Sequence, residues 1–155
     1  MSWIPPRLKT NRLELIALGG DDSVPFSHEI YNETLLPGLP SNWTIFLKGS
    51  DEAIGSIGYI RWERDAALGE IGFILKHTAR KRGYMTEACH AVIHFGFCFM
   101  VLQIIEGRSL PNNQASIRLL EKIGMKKQGS VQTRLSLKGP LLDLDVYHIK
   151  GFCFA

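Results

Sequence analysis

Alternating apolar and polar residues predict an antiparallel meander in the first half of the chain. Turn residues separate the alternating runs, as at residues 48–52 and 64–67, so neighbouring runs are expected to pair as hairpins. Prolines and a glycine interrupt residues 23–43, where we expect at most one short helix, from Phe26 to Leu35. The predicted strands are Arg12 to Leu18, Thr44 to Leu47, Ala53 to Trp62 and Gly69 to Leu75.

Helical spacing replaces this alternation in the second half. A helix is predicted from Tyr84 to Val101, because four apolar residues recur there at steps of three and four. A second helix, from Asn113 to Ile123, is stopped by Gly124. The strand before the first helix, that helix and the strand between the two helices make a β-α-β unit, and a hairpin follows the second helix. The core stripe of the first helix is Ala88, Val92, Phe95 and Phe99. The predicted strands are Gln103 to Leu110, Lys126 to Leu137 and Leu142 to Phe152.

Composition fits a single globular domain over residues 1–155. The 155 residues are 45% apolar and 21% charged, which excludes disordered and collagen-like proteins. The three cysteines, Cys89, Cys98 and Cys153, are odd in number and lack Cys-x-x-Cys spacing, which argues against a disulfide framework and a zinc ribbon. We therefore expect unpaired thiols and a reducing compartment.

The N-terminal residues lack the apolar run of a signal peptide. The most apolar stretch, Ala91 to Ile105, is shorter than the roughly 20 residues of a membrane span, so we expect a cytoplasmic protein without a membrane partner. The net charge of +3 is too small to indicate nucleic acid. Residues 1–60 hold 4 basic and 7 acidic side chains, whereas residues 61–155 hold 14 and 8. This asymmetry predicts an anionic ligand on the second half.

The segment Arg80-Lys81-Arg82-Gly83-Tyr84-Met85-Thr86-Glu87-Ala88 connects a predicted strand to a predicted helix. Backbone N–H groups and the positive end of the helix dipole meet at such a position, which suits a phosphate or pyrophosphate. Gly83 lets the backbone approach an anion and tolerates positive φ. The alternative is a solvated basic turn with an ordinary glycine, and charge and spacing alone leave both interpretations open.

Three segments together resemble the GNAT superfamily of N-acetyltransferases, and within it the RimJ/RimL-type group of ribosomal-protein alanine and serine N-terminal acetyltransferases. The segments are Glu70 to Leu75, Arg80 to Ala88 and Pro111 to Met125. Their order of strand, basic glycine loop, helix, strand and Asn-x-x-Ser helix is specific. The resemblance extends from about Arg12 to Ile149. It implies an α/β (α+β) fold with a mixed, mostly antiparallel sheet of six to seven strands, a central β-α-β unit and helices on the faces of the sheet.

The resemblance also implies that acetyl-CoA is the co-substrate. The family's pyrophosphate loop corresponds to Arg80, Gly83 and Met85, with Lys81 where a glycine is common and Met85 where a small residue is usual. The strand that pairs with the pantetheine amides corresponds to residues 73–76, and Asn113 falls where the family contacts the pantetheine arm. The residues implied to bind the coenzyme are Phe73, Ile74, Leu75, Lys76, Arg80, Lys81, Arg82, Gly83, Tyr84, Met85, Thr86, Asn113 and Ser116.

Acetyl transfer to an amine needs a base, a donor to the oxyanion and a proton for the leaving thiolate. In the family these groups correspond to Glu70 at the head of the splayed strand and to the backbone N–H near Ile74 or Leu75. Many members protonate the thiolate with a tyrosine, but Leu120 stands at that position in this chain. Ser116 is therefore the candidate group near the sulfur. The alternatives are an exposed strand-end carboxylate for Glu70 and a locally bonded helix serine for Ser116.

A second group of side chains has metal-ligand chemistry. Glu87, His90, His94 and Cys98 share one helix face. However, Ala91 stands where a zincin has its glutamate, and the opposite stripe is apolar. We therefore expect solvated histidines and no metal, with Cys89 and Cys98 as packed thiols and not nucleophiles.

These observations predict an enzyme that moves an acetyl group from acetyl-CoA to a primary amine, either a protein N-terminus or a small amine, by direct transfer in a ternary complex. Leu36 to Trp43 is followed at once by Thr44, so the region that walls the acceptor cleft in the family is shortened. A homodimer would supply the missing wall. The alternative is a non-catalytic coenzyme A or nucleotide sensor.

Overall fold

The computed structural model describes residues 5–17, 41–134 and 137–153. Eight strands of these residues form one sheet in the order β1-β2-β3-β4-β5-β6-β8-β7. The first five strands are β1 (Leu8–Lys9), β2 (Leu13–Ile16), β3 (Ser41–Leu47), β4 (Ala53–Glu63) and β5 (Leu68–Leu75). After them come helix α1 (Tyr84–Cys98), β6 (Ile104–Ser109), helix α2 (Gln114–Lys122), β7 (Lys126–Arg134) and β8 (Leu141–Lys150).

Neighbouring strands are antiparallel, apart from β5 and β6, which are parallel and joined by α1. The predicted class, a mostly antiparallel mixed sheet around a β-α-β unit, is confirmed. The sheet has eight strands and not six or seven, because β1 pairs with β2 through two residues only. A two-residue strand is too short to leave an alternating pattern.

Helix α1 packs on the face of the sheet that carries Tyr59 and Gly69. The Tyr59 hydroxyl donates to the carbonyl oxygen of Val92 at 2.7 Å, and a Cβ at Gly96 would overlap that hydroxyl. The missing side chain of Gly96 therefore lets the helix approach the strand closely. Helix α2 packs on the same face, because a Cβ at Gly107, two residues after the core residue Ile105, would lie 2.6 Å from the Leu120 side chain.

The structure corrects the C-terminal end of the first helix. Helix α1 ends at Cys98 and not at Val101, and Phe99 is 68% exposed and so does not belong to the core stripe. The Leu102 N–H bonds to the Gly96 carbonyl, and Val101 has a φ of 56°. This turn directs Met100 and Leu102 into the core in place of Phe99.

Other boundaries differ by a few residues, and one prediction lies elsewhere. Strand β3 begins at Ser41, three residues before the predicted start. Strands β7 and β8 end at Arg134 and Lys150. The predicted helix from Phe26 to Leu35 lies outside the described residues. Among the described residues, no helix has the length and apolar character that a membrane crossing requires.

The cysteine prediction is wrong for two of the three residues. Cys98 at the end of α1 forms a disulfide with Cys153, which follows β8. The Gly151 N–H bonds to the Gln103 carbonyl at 3.2 Å, so the C-terminal segment returns to the end of α1 and meets a cysteine 55 residues away in sequence. Sequence spacing alone does not reveal such an approach. The inference of a reducing compartment therefore loses the support of the cysteine count.

Candidate active site

The parallel strands β5 and β6 separate within the sheet. Their register pairs Leu68 with Ile104, Gly69 with Ile105 and Glu70 with Glu106, and it stops there. Beyond Glu70 the edge of β5 that faces β6 has no strand partner among the described residues, although β5 stays paired with β4 to Leu75. In an extended strand, N–H and C=O groups point alternately to each side. The gap therefore has a ready-made backbone edge on its β5 side.

Residues predicted to bind pantetheine lie on this edge. Phe73, Ile74 and Leu75 follow the last pairing with β6 and are partly buried. The Lys76 N–H bonds to the Ile54 carbonyl at 2.7 Å, and its Nζ lies 2.7 Å from Oε1 of Glu52. Lys76 thus continues the pairing with β4, as does Ile74, which lies opposite Ser56. Because successive backbone groups point to alternate sides, those that face the gap belong to Phe73 and Leu75.

The basic loop after β5 presents a series of backbone donors. Gly83 has a φ of 80° and precedes the first residue of α1, and Lys81 also has a positive φ, of 65°. The N–H groups of residues 81–86 make no hydrogen bond to any residue that the structure describes. The Gly83 carbonyl oxygen accepts a hydrogen bond from the Glu87 N–H, and this bond begins the regular pattern of the helix. Six unpartnered amides in sequence, at the positive end of a helix, make a set of donors suited to a phosphate group.

The side chains of this loop divide into solvated and packed groups. Arg80, Lys81 and Arg82 are exposed, and Arg80 Nε lies 3.2 Å from the Leu75 carbonyl oxygen. Met85 is 7% exposed and packs in the core, so the methionine does not obstruct the donor face. Tyr84 and Thr86 are partly buried.

Arg12 anchors the loop, a role that no local pattern in the sequence indicates. Its Nη1 donates to the carbonyl oxygen of Arg82 at 2.9 Å, and its Nε donates to Oε1 of Glu87 at 2.8 Å. Arg12 follows β1, 70 residues before the loop. Only the pairing of β1 and β2 beside the start of α1 brings these groups together.

Charged side chains meet where β5 and β6 begin to separate. Glu70 and Glu106 are opposite each other in the register, on the face away from α1 and α2, since Glu106 lies between Ile105 and Gly107. They are 8% and 5% exposed. Arg61 Nε lies 3.1 Å from Glu70, and Arg61 Nη2 lies 2.6 Å from Glu106. Glu70 is therefore a buried, paired carboxylate and not an exposed residue at a strand end.

The pKa values of Glu70 and Glu106 shift in opposite directions. Burial raises the pKa of Glu70 above its ordinary value, although the charges of Arg108 and Arg61 oppose this shift. Burial acts in the same direction on Glu106, but hydrogen bonds from His148 and Arg108 outweigh it and hold the pKa of Glu106 below its ordinary value. Paired carboxylates with opposite shifts are typical of sites that separate a proton-accepting group from a permanently charged one.

Asn113 and Ser116 lie at the start of α2, after the end of β6. The Asn113 side chain accepts the Ser116 N–H at 3.1 Å, so it is the N-cap of the helix. The Ser116 hydroxyl makes no hydrogen bond to the described residues, so the locally bonded alternative does not hold for them.

The helix face with possible metal ligands is occupied by other interactions. Glu87 pairs with Arg12, and Cys98 is in the disulfide. His90 and His94 are exposed and line a cavity of about 500 Å³ beside β1. No cluster of three metal-ligating side chains exists in residues 5–17, 41–134 and 137–153. Burial raises the pKa of the Cys89 thiol, which therefore stays protonated and packed.

Comparison with known proteins identifies the family. The family model described as an acetyltransferase (GNAT) domain matches residues 22–126. The uncharacterized N-acetyltransferase p20 of Bacillus licheniformis is 29% identical over 78% of this chain and 68% of its own. The uncharacterized N-acetyltransferase YoaA of Bacillus subtilis is 30% identical over 69% of this chain and 60% of its own. The chain thus spans about two thirds of the length of these curated relatives.

Solved structures agree in fold. An acetyltransferase of the GNAT family from Bacillus anthracis has a TM-score of 0.73 and 22% identity, covering 94% of this chain and 98% of its own. The ribosomal-protein-S5-alanine acetyltransferase of Vibrio fischeri has a TM-score of 0.74 and 17% identity, covering 94% and 97%. RimL, an alpha-N-protein acetyltransferase solved with coenzyme A, has a TM-score of 0.74 and 16% identity, covering 94% and 98%. With its splayed strands, its basic glycine loop and a family match over more than half of its residues, the chain belongs to the GNAT family of acetyltransferases, with RimJ/RimL-type structural neighbours.

Proposed function

We propose that this chain transfers the acetyl group of acetyl-CoA to a primary amine by direct transfer in a ternary complex. The observation that carries the proposal is the position of the six unpartnered amides of residues 81–86 beside the open edge of β5. A diphosphate on those amides would leave the rest of the coenzyme free to enter the gap. GNAT membership and the RimL structure solved with coenzyme A support the same co-substrate.

Each part of the coenzyme has a matching set of groups. The diphosphate would accept hydrogen bonds from the loop amides and be neutralised by Arg80, Lys81 and Arg82. The pantetheine amides would pair with the backbone of residues 73–75, as an added strand pairs with a sheet edge. Asn113 and Ser116 would face the arm from the start of α2.

Glu70 is the proposed base. An ammonium group must lose a proton before its nitrogen lone pair attacks the thioester carbonyl. A buried carboxylate with a raised pKa accepts that proton better than a solvated one, directly or through a water molecule. The new N–C bond then forms, the carbonyl oxygen is held by the N–H of Leu75, which faces the gap, and the C–S bond breaks.

The leaving thiolate takes a proton, and the proposed source is the Ser116 hydroxyl in exchange with solvent. Because coenzyme A thiol is a good leaving group, we expect Ser116→Ala to lower kcat by only about tenfold, less than the usual 10²- to 10⁴-fold of general acid catalysis, and to leave coenzyme affinity unchanged. Thiol release at saturating acetyl-CoA measures kcat, and calorimetry measures affinity. Equal kcat in wild type and variant would remove Ser116 from the mechanism.

The acceptor is proposed to be cationic before deprotonation. The side chains Arg61, Glu63, Glu70, Glu106 and Arg108 meet at the strand separation, and they carry three negative and two positive charges. Such a cluster favours an ammonium group, as in a protein N-terminus or a small amine.

The sequence predicts a shortened acceptor wall before strand β3, which begins at Ser41. We propose that a second copy of the chain completes this wall and that the enzyme is cytoplasmic. Light scattering that detects only monomer at high micromolar concentration would contradict the dimer.

Calorimetry with acetyl-CoA, followed by thiol release with a panel of peptides and small amines, tests the function. We expect binding of acetyl-CoA and thiol release that depends on an amine. Binding without thiol release for every amine would indicate a coenzyme sensor. Absence of binding would reject both functions.

A further inference from the structure

Arg12 connects the loop before α1 to the first turn of that helix. Its guanidinium donates to the Arg82 carbonyl oxygen at 2.9 Å and to Glu87 Oε1 at 2.8 Å. It also lies 4.6 Å from the centre of the Tyr84 ring, within the range of a cation–π contact. A single side chain from outside the β-α-β unit therefore contacts residues on both sides of Gly83.

The contact with Arg82 determines the direction of the next peptide group. In a trans peptide the C=O and N–H point to opposite sides, and no cis peptide occurs among the described residues. Because the Arg82 carbonyl points towards Arg12, the Gly83 N–H points away from it. That N–H makes no hydrogen bond to a described residue. Arg12 thus orients one donor of the loop while remaining on the opposite side of the backbone.

Glu87 and Arg12 neutralise each other. The Glu87 carboxylate accepts hydrogen bonds from the Thr10 hydroxyl, from the Arg12 backbone N–H at 2.7 Å and from Arg12 Nε. Burial acts to raise the pKa of Glu87, but these hydrogen bonds hold it below its ordinary value. The carboxylate is therefore ionised near neutral pH. Without the Arg12 guanidinium the carboxylate would lose its counter-charge in the first turn of α1 and repel an anion at the loop.

We propose that Arg12 is a positioning residue for the diphosphate of the coenzyme. It turns the Gly83 N–H towards the anion and neutralises the carboxylate that would otherwise oppose binding. Arg12 makes no contact with the substrate in this proposal. The inference rests on the proposed function, because it needs the loop to be the diphosphate site.

The test compares acetyl-CoA with S-acetyl-pantetheine, which has the same thioester but no diphosphate. For Arg12→Ala we expect kcat/KM to fall by about tenfold with acetyl-CoA, as for loss of a hydrogen bond to a charged network, and by less than twofold with S-acetyl-pantetheine. A purely structural role of Arg12 would lower both values equally, and that result would overturn the inference. Wild type must first prefer acetyl-CoA, since equal use of both donors would reject the diphosphate site and the inference with it.

Two further variants keep the result interpretable. Arg12→Lys retains one positive charge but lacks the fork that reaches Arg82 and Glu87 together, so we expect a loss between those of wild type and Arg12→Ala. Full activity of Arg12→Lys with acetyl-CoA would contradict the orienting role. Arg7→Ala is the matched control, because Arg7 pairs with Glu14 at 3.6 Å and makes no ion pair or hydrogen bond with the loop. We expect unchanged kinetics with both donors.

Discussion

Glu70→Gln is expected to lower kcat by about 10²- to 10⁴-fold, the range for loss of a general base. The substitution keeps the size of the side chain and one acceptor oxygen for Arg61, but it removes the negative charge and the ability to accept a proton. Coenzyme affinity should remain unchanged, because residues 81–86 and the edge of β5 are untouched. Thiol release at saturating acetyl-CoA and saturating amine measures the effect.

The matched control is Glu63→Gln. Glu63 pairs with the same Arg61 guanidinium but is exposed at the end of β4, so it shares the ion pair without the burial. We expect its kcat at saturating amine to stay within about twofold of wild type, as for a surface ion pair, because the charge of Glu63 acts on attraction of the amine and not on the chemical step. A similar kcat for Glu70→Gln and wild type would contradict the role of Glu70 as the base.

The pH dependence of kcat is an independent test of the role of Glu70. Glu70 acts when deprotonated and its pKa is raised, so kcat should fall with decreasing pH through a value above that of an ordinary glutamate. The fall should be present in Glu63→Gln and absent from the residual activity of Glu70→Gln.

Gly83→Val is expected to weaken binding of coenzyme A by about 30- to 100-fold, as judged from the strain of a β-branched residue at positive φ. Gly83 has a φ of 80°, and its Cβ would lie 3.2 Å from Arg12 Nη2. A backbone shift that relieves the strained φ or the contact with Arg12 would change the directions of the loop N–H groups. Calorimetry with coenzyme A measures the change.

Gly49→Val separates loss of affinity from loss of stability. Gly49 also has a φ of 80°, and a Cβ at this position would have no atom within 4 Å. The same strain is therefore introduced in the turn between β3 and β4, away from the loop. We expect lower thermal stability in both variants but normal coenzyme affinity in Gly49→Val. Normal affinity in Gly83→Val would show that the loop geometry does not determine coenzyme binding.

Most strands and their hairpins were predictable, because local patterns determine them. Alternation located β2 to β5, and the change to helical spacing at Tyr84 located the crossover between β5 and β6. The end of α1 was less predictable. Phe99 continues the apolar spacing of the helix, but the chain leaves the helix at Cys98 and buries Met100 and Leu102 instead. Tertiary packing decides whether Phe99 or the pair Met100 and Leu102 is buried, and the spacing of apolar residues does not show which.

The candidate site also has one part that the sequence could predict and one part that it could not. The loop that contains Gly83 and the helix that begins after Asn113 are contiguous in sequence, so their composition and order could identify them. Arg12 could not be found in this manner, because it lies 70 residues before the loop that it contacts. The pairing of Cys98 with Cys153 was missed for the same reason. Arg61 lies only nine residues from Glu70 in the predicted hairpin of β4 and β5, but a register shift after Tyr59 brings the two opposite each other, and alternation alone does not reveal it.

The most direct measurement is a crystal structure of the protein with coenzyme A bound. We predict diphosphate oxygens within about 3.2 Å, the usual limit of an N–H···O bond, of backbone nitrogens in residues 81–86, and the thiol in the gap between β5 and β6. A coenzyme whose diphosphate lies elsewhere, with the amides of residues 81–86 contacting only solvent, would contradict the account.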